Sequence, residues 1–100
     1  MNNLLFISGK ITGDNNFKAK FKETQDKLIS QGYRVLNPCW IDAEIADLEH
    51  SEYLHIDFAM IDIADTIYML SDWQDSTGAR MEYDYAVRSG KKVKVAGVGE

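Results

Sequence analysis

The sequence is short of the residues that staple or punctuate a chain, with one cysteine, Cys39, and one proline, Pro38, among 100 residues. A lone cysteine forms no internal disulfide and lacks the paired Cys/His spacing of a structural zinc site. Stability must therefore come from a packed core, and a reducing compartment is the simplest setting. Cys39 itself reads as a buried small residue rather than a nucleophile. No window approaches the ~18 consecutive apolar residues of a membrane span. The start, Met1-Asn2-Asn3, has neither the basic flank nor the apolar run of a secretory signal. A soluble, cytoplasmic protein without a membrane partner is expected. Positive charge is missing from residues 35–79, which hold no Lys or Arg but do hold Asp42, Glu44, Asp47, Glu49, Glu52, Asp57, Asp62, Asp65, Asp72 and Asp75. With a net charge of −5, this is no surface for tracking nucleic acid.

What is present is a regular alternation of short apolar runs and amphipathic stretches. Leu4-Leu5-Phe6-Ile7 reads as a buried strand broken by Ser8-Gly9. Residues 17–31 carry Phe17, Phe21, Leu28 and Ile29 near helical spacing, with Asp14, Asn15 or Asn16 as caps and Gly32 as a stop. Arg34-Val35-Leu36 forms a second strand, halted by Asn37-Pro38 because proline cannot donate to a ladder. An acidic loop over 40–49 leads into a helix over 51–64. This helix has too many apolar residues for one narrow stripe, so it is expected to be buried on two sides or to lie in a subunit interface. A third strand follows at 66–70, a polar loop at 71–77, a helix at 78–89 and a fourth strand at 92–95.

The pattern βαβαβαβ predicts one α/β domain over 1–100. Its architecture is a three-layer, Rossmann- or flavodoxin-like sandwich on a mostly parallel four-stranded sheet of order 2-1-3-4. Ligands of such sheets bind outside the carboxyl ends of the strands at the switch point, which singles out loops 8–13, 37–40 and 71–78. In the first, Ser8-Gly9-Lys10-Ile11-Thr12-Gly13 matches neither the Walker nor the dinucleotide spacing. Its glycines and amides are still the kind that hold an anion or a sugar hydroxyl. In the last, Glu82 shares a helix face with Tyr85, Ala86 and Ser89, the small and apolar side expected to turn toward the sheet. Trp73 either stacks on a planar ring or covers the loop. Asp57 and Asp62, set in an apolar helix, must be exposed, paired or functional. Asp65 is in the ordinary place for a cap or turn. His50 and His55 match no standard metal spacing, and no metal is expected.

Taken together, these stretches resemble the nucleoside 2-deoxyribosyltransferase-like superfamily, particularly its small phage and bacterial branch related to 2′-deoxynucleoside 5′-phosphate N-hydrolases. The resemblance is carried by Phe6-Ile7-Ser8-Gly9-Lys10-Ile11-Thr12-Gly13, Asn37-Pro38, Ile56-Asp57, Ala64-Asp65-Thr66-Ile67-Tyr68-Met69-Leu70, Trp73, Ser76, Gly78-Ala79-Arg80 and Glu82. It implies cleavage of the N-glycosidic bond of a (deoxy)nucleoside or its 5′-monophosphate by hydrolysis or transfer, with no cofactor. It makes Glu82 the nucleophile, sets Asp65 near sugar and base, and sets Ser76 at the 5′-phosphate with help from the amides of residues 8–13. Asn37, Trp73 and Gly78 join the substrate-binding set. Either Asp65 or Asp57 would protonate the leaving base. A homodimer or higher homo-oligomer is expected. One departure stands out, because the family's strand-one tyrosine, which orients the nucleophile, is Phe6 here. Tyr68, Tyr83 or another group must supply the missing hydroxyl, or the protein is a non-catalytic nucleotide-binding or sensing module.

Overall fold

The structure, a computed structural model, describes residues 3–41 and 47–98; residues 42–46 of the expected acidic loop lie outside it. Its elements are β1 (Leu4–Ser8), α1 (Phe17–Ser30), β2 (Arg34–Leu36), α2 (His50–Ile63), β3 (Thr66–Met69), α3 (Thr77–Arg88) and β4 (Lys92–Val95). Single 3-10 turns at Pro38–Trp40 and Trp73–Asp75 interrupt the loops after β2 and β3. All strand pairs are parallel and the order is β2-β1-β3-β4, as the sequence pattern predicts.

Strand alternation sorts the core into two halves. Leu5 and Ile7 of β1 join Tyr68 and Leu70 against Phe21 and Leu28 of α1. Phe6 joins Ile67 and Met69 against Ile61 of α2 and Ala79 and Ala86 of α3. A helix layer therefore covers each face of the sheet, and each fully buried large side chain contributes about 1.5–3 kcal/mol. Phe21 and Leu28, seven residues apart, share one face of α1. The expected partner Ile29 lies one residue round the helix from Leu28 and is 51% exposed.

Two local findings depart from the sequence reading. Strand β1 runs one residue further than expected, so that Ser8 pairs with Met69 and is fully buried. Helix α2, started by a capping box between Glu49 and Glu52, is not buried on two sides within the chain. Ile61 is buried, whereas Ile63 is 65% exposed and Ala59 is exposed. The surplus of apolar residues arises because one face packs on the sheet while Tyr53 and Leu54 wall a cavity.

Gly9 follows β1 directly. A Cβ there would lie 2.6 Å from Leu70 Cδ1 and 2.8 Å from Leu70 Cβ, so core packing itself demands glycine at the strand end. No helix among the described residues is long and apolar enough to cross a membrane.

Candidate active site

The carboxyl ends of β1, β2 and β3 open into a cavity of about 370 Å³. Its floor is set by one side chain, Glu82, which projects inward from α3 and is only 6% exposed. The helix puts it there because Ala79, Glu82 and Ala86 form the buried face, with small residues on either side that let α3 approach the sheet.

Glu82 has two polar partners. Ser8 Oγ donates to Glu82 Oε1 at 2.6 Å from the end of β1, and this hydrogen bond is buried. From α2, the Asp57 carboxyl lies close enough to Glu82 for the two acids to shift each other's titration. Burial pushes Glu82 well above the usual glutamate range, and the Asp57 bond and charge add to this, while the Ser8 bond pulls the other way. Burial also raises Asp57, with Glu82 and His50 pulling it down. Both carboxyls are therefore raised, Glu82 the more strongly, and the pair favours holding a proton. A buried acid pair of this kind is the arrangement that divides nucleophile and proton-donor roles between two carboxyls.

The rest of the cavity is graded in polarity. Ile11, Phe17, Pro38, Cys39, Ile41, Tyr53 and Leu54 make its apolar lining. Thr12, His50, Ser76 and Gly78 continue into a polar annex completed by Asp75 and Thr77 at the start of α3. Ser76 caps that helix by accepting from the Ala79 amide at 3.1 Å, which leaves its own O–H free to donate. Lys18 and His50 are the Lys, Arg or His side chains on the walls, among the described residues. The Cys39 thiol is pushed up to about 11 by burial and by the nearby Asp57 charge, so it is no nucleophile.

The residues singled out from sequence divide cleanly. Gly9, Ile11, Thr12, Asp57, Ser76, Gly78 and Glu82 line the cavity, and Ser8 stands behind Glu82. Asp65 is elsewhere: it precedes β3, at the amino edge of the sheet, and its Oδ2 accepts from the Leu4 amide at 2.9 Å. A residue before a parallel strand cannot reach a site beyond the carboxyl ends of the strands, which separates Asp65 from Glu82. Lys10 and Gly13 are not on the walls, and the Lys10 amide, expected to be free for an anion, donates to Asp72 Oδ1 at 3.0 Å. Asn37 is buried, with Oδ1 accepting from the Cys39 amide and Nδ2 donating to Gln25, so it shapes the Pro38–Trp40 turn instead of facing the cavity. Trp73 stacks on Tyr83 at 4.6 Å and packs into the core, which is the loop-covering role. Asp62 accepts from Tyr85 Oη at 2.6 Å, a surface pairing. Among the described residues no cluster of His, Cys, Asp or Glu suits a metal ion.

Neither Tyr68 nor Tyr83, the hydroxyls expected in place of the strand-one tyrosine, is the partner that Glu82 finds. Tyr68 lies on the α1 side of the sheet, away from Glu82, and Tyr83 is occupied by Trp73. The hydroxyl that meets Glu82 is that of Ser8, which is two residues beyond Phe6, on the same face of β1 and nearer the carboxyl end. Sequence reasoning also missed Phe17, Lys18, Cys39, Ile41, His50, Tyr53 and Leu54 as wall residues. The hydrophobic excess of α2 was the available signal for two of them.

The sequence profile of DUF4406, a domain of unknown function, matches residues 3–95. No curated protein matches the chain. Among solved structures, the CMP N-glycosidase of Clostridium botulinum superposes with a TM-score of 0.67 at 17% identity, covering 92% of this chain and 69% of that one. The 2-deoxyribosyltransferase of Leishmania mexicana gives 0.71 at 16% identity, over 93% of this chain and 63% of that one. The 2-deoxyribosyltransferase of Bacillus psychrosaccharolyticus gives 0.70 at 17% identity, over 92% and 70%. The chain therefore spans less than two thirds of the length of the Leishmania protein. It belongs to the DUF4406 family, and it shares its fold with the N-glycosidase and the two 2-deoxyribosyltransferases.

Proposed function

We propose that the protein cleaves the N-glycosidic bond of a (deoxy)nucleoside 5′-monophosphate, with Glu82 as nucleophile and Asp57 as proton donor. The observation that carries this reading is the buried Glu82–Asp57 pair, oriented by Ser8 and facing a cavity with an apolar lining and a polar annex. The activities named for the similar structures, CMP N-glycosidase and 2-deoxyribosyltransferase, are of the same reaction type.

The base stacks against the apolar lining, and the 5′-phosphate lies in the annex, where it accepts from Ser76 Oγ and the free amides at the start of α3 beside His50. The anomeric carbon then faces Glu82. As positive charge develops on the sugar, the ionised form of Glu82 is favoured and the proton of the pair passes to Asp57. A Glu82 oxygen bonds to the anomeric carbon, the bond to the base breaks with its electron pair going to the base nitrogen, and Asp57 delivers the proton there. Water, or a second base in transfer, attacks the glycosyl ester and gives its proton to Asp57, and Glu82 leaves as the carboxylate. Asp65 has no part in this sequence, because it lies at the opposite edge of the sheet.

A second reading, a nucleotide-binding or sensing module without turnover, is favoured by the burial that holds the proton on Glu82. Chromatography for free base, with ribo- and deoxynucleosides and their 5′-monophosphates, separates the two. Release by wild type and none by Glu82→Gln is expected, with monophosphates preferred. Nucleotide binding with no release from any substrate selects the binding module. We place the protein in the cytoplasm and take it to work as a homo-oligomer, with the exposed apolar part of α2, including Ile63, as the contact.

A further inference from the structure

One cluster of charges outside the cavity has no role in the chemistry above. The Lys20 ammonium, on α1, donates to Lys10 O at 3.0 Å, to Asp14 Oδ2 and to Asp72 Oδ2. Asp72 Oδ1 in turn accepts from the Lys10 amide at 3.0 Å. Lys10 is thus gripped at both its N–H and its C=O, while the turn after it is closed by the Asp14 amide donating to Ile11 O at 3.1 Å. An ammonium has three donors, and three oxygens on two loops take them, so none remains for a substrate.

We propose that Lys20 is a positioning residue that clamps loop 9–14 to loop 71–76 and so fixes Ile11 and Thr12 as one wall of the cavity. The clamp lies between the two segments that the substrate must touch together. Ile11 and Thr12 line the cavity on one loop, and Ser76 ends the other. It also extends to the helix, because Lys18 and Phe17 on the first turn of α1 line the same cavity. The electrostatics agree with a formed clamp. Lys20 loses hydration, but its bonds to Asp14 and Asp72 outweigh that loss and hold the ammonium above its usual range. The Lys20 bond also holds the Asp14 carboxyl below the usual aspartate range. The three side chains are each about one quarter exposed, which shields the cluster without burying it. Its net charge, one cation against two carboxylates, also argues against its being an anion site itself.

The proposal rests on the proposed function only for its kinetic arm, so the experiment has two arms on the full-length protein. Hydrogen exchange at the Lys10 amide is measured in wild type, Lys20→Met, Asp72→Asn and Lys20→Arg. Lys22→Met serves as control, since it removes only the exposed Lys22–Asp26 pair on the same helix. KM, kcat and the pH optimum for base release are measured on the same variants. Lys20→Met and Asp72→Asn are expected to speed Lys10 exchange at least tenfold and to raise KM roughly ten- to hundredfold. The pH optimum of kcat stays fixed, since the Glu82–Asp57 pair is untouched. Lys20→Arg restores part of both effects and Lys22→Met changes neither. A lower Tm with unchanged Lys10 exchange and unchanged KM would overturn the proposal and leave a stability role alone. Should Lys20→Met fail to fold, Asp72→Asn decides, because it removes the Lys20–Asp72 ion pair and weakens the acceptor of the Lys10 amide while leaving the Lys20–Asp14 pair in place. Should wild type release no base, the exchange arm still decides the clamp, and the missing turnover counts against the proposed function instead.

Discussion

Replacing Ser8 with alanine tests the link between strand geometry and chemistry most closely. Ser8 Oγ is a donor aimed at a carboxylate oxygen, at 2.6 Å between two buried side chains. A hydrogen bond to a charged group is worth about 1.5–3 kcal/mol, and one pKa unit corresponds to about 1.36 kcal/mol. Since the Ser8 bond pulls Glu82 down, its loss raises Glu82 further and makes the ionised carboxylate harder to form by about the worth of that bond. Where Glu82 is mostly protonated, each loss of about 1.36 kcal/mol leaves about a tenth of the ionised nucleophile, so kcat/KM falls roughly ten- to hundredfold. The deficit shrinks as pH rises, because Glu82 ionises again. Profiles of kcat/KM against pH for base release by wild type and Ser8→Ala would therefore show the acid limb displaced upward and the alkaline values converging. An equal loss at every pH would show that Ser8 only shapes the cavity, and an unchanged profile would refute the orientation argument.

Other consequences are equally direct. Gly9→Ala forces a Cβ against Leu70, with an overpacking cost of about 1–3 kcal/mol and about 4–8 °C of Tm per kcal/mol, measured by calorimetry; an unchanged Tm would mean that Leu70 yields freely. Glu82 is raised in the folded protein above its ordinary value of 4.5, so its contribution to stability is present below that pH and is lost as pH rises through the folded value. Glu82→Gln, which does not titrate, should accordingly gain on wild type in denaturant midpoint as pH rises above 4.5; a difference that is flat with pH contradicts the burial argument. Cys39, pushed up to about 11 from 9.0, should react with iodoacetamide near pH 8 about a hundredfold more slowly than in the unfolded chain; comparable rates would contradict the thiol's environment.

Much of this was legible because it depends on periodicity. The four strands and their order follow from apolar runs spaced by helical stretches, and the inward turn of Glu82 follows from its place between Ala79 and Ala86. What escaped depends on which end of the sheet a residue occupies and on contacts between distant segments. Asp65 and Glu82 both border β3-linked elements, yet one stands before the strand and the other beyond it. Counting from Phe6 to Ser8 along one strand face would have located the hydroxyl that meets Glu82. The clamp on Lys10 and the Asp57–Glu82 pair join residues from different helices and loops, and no local pattern encodes that meeting.

The central claim is that Glu82 bonds to the sugar. Its most direct measurement is peptide mapping by mass spectrometry of protein quenched in acid during turnover of a deoxynucleoside 5′-monophosphate. The account predicts the mass of the phosphorylated sugar on the peptide containing Glu82, absent from Glu82→Gln. Free base released with no adduct at Glu82, or with the sugar on another residue, would contradict it.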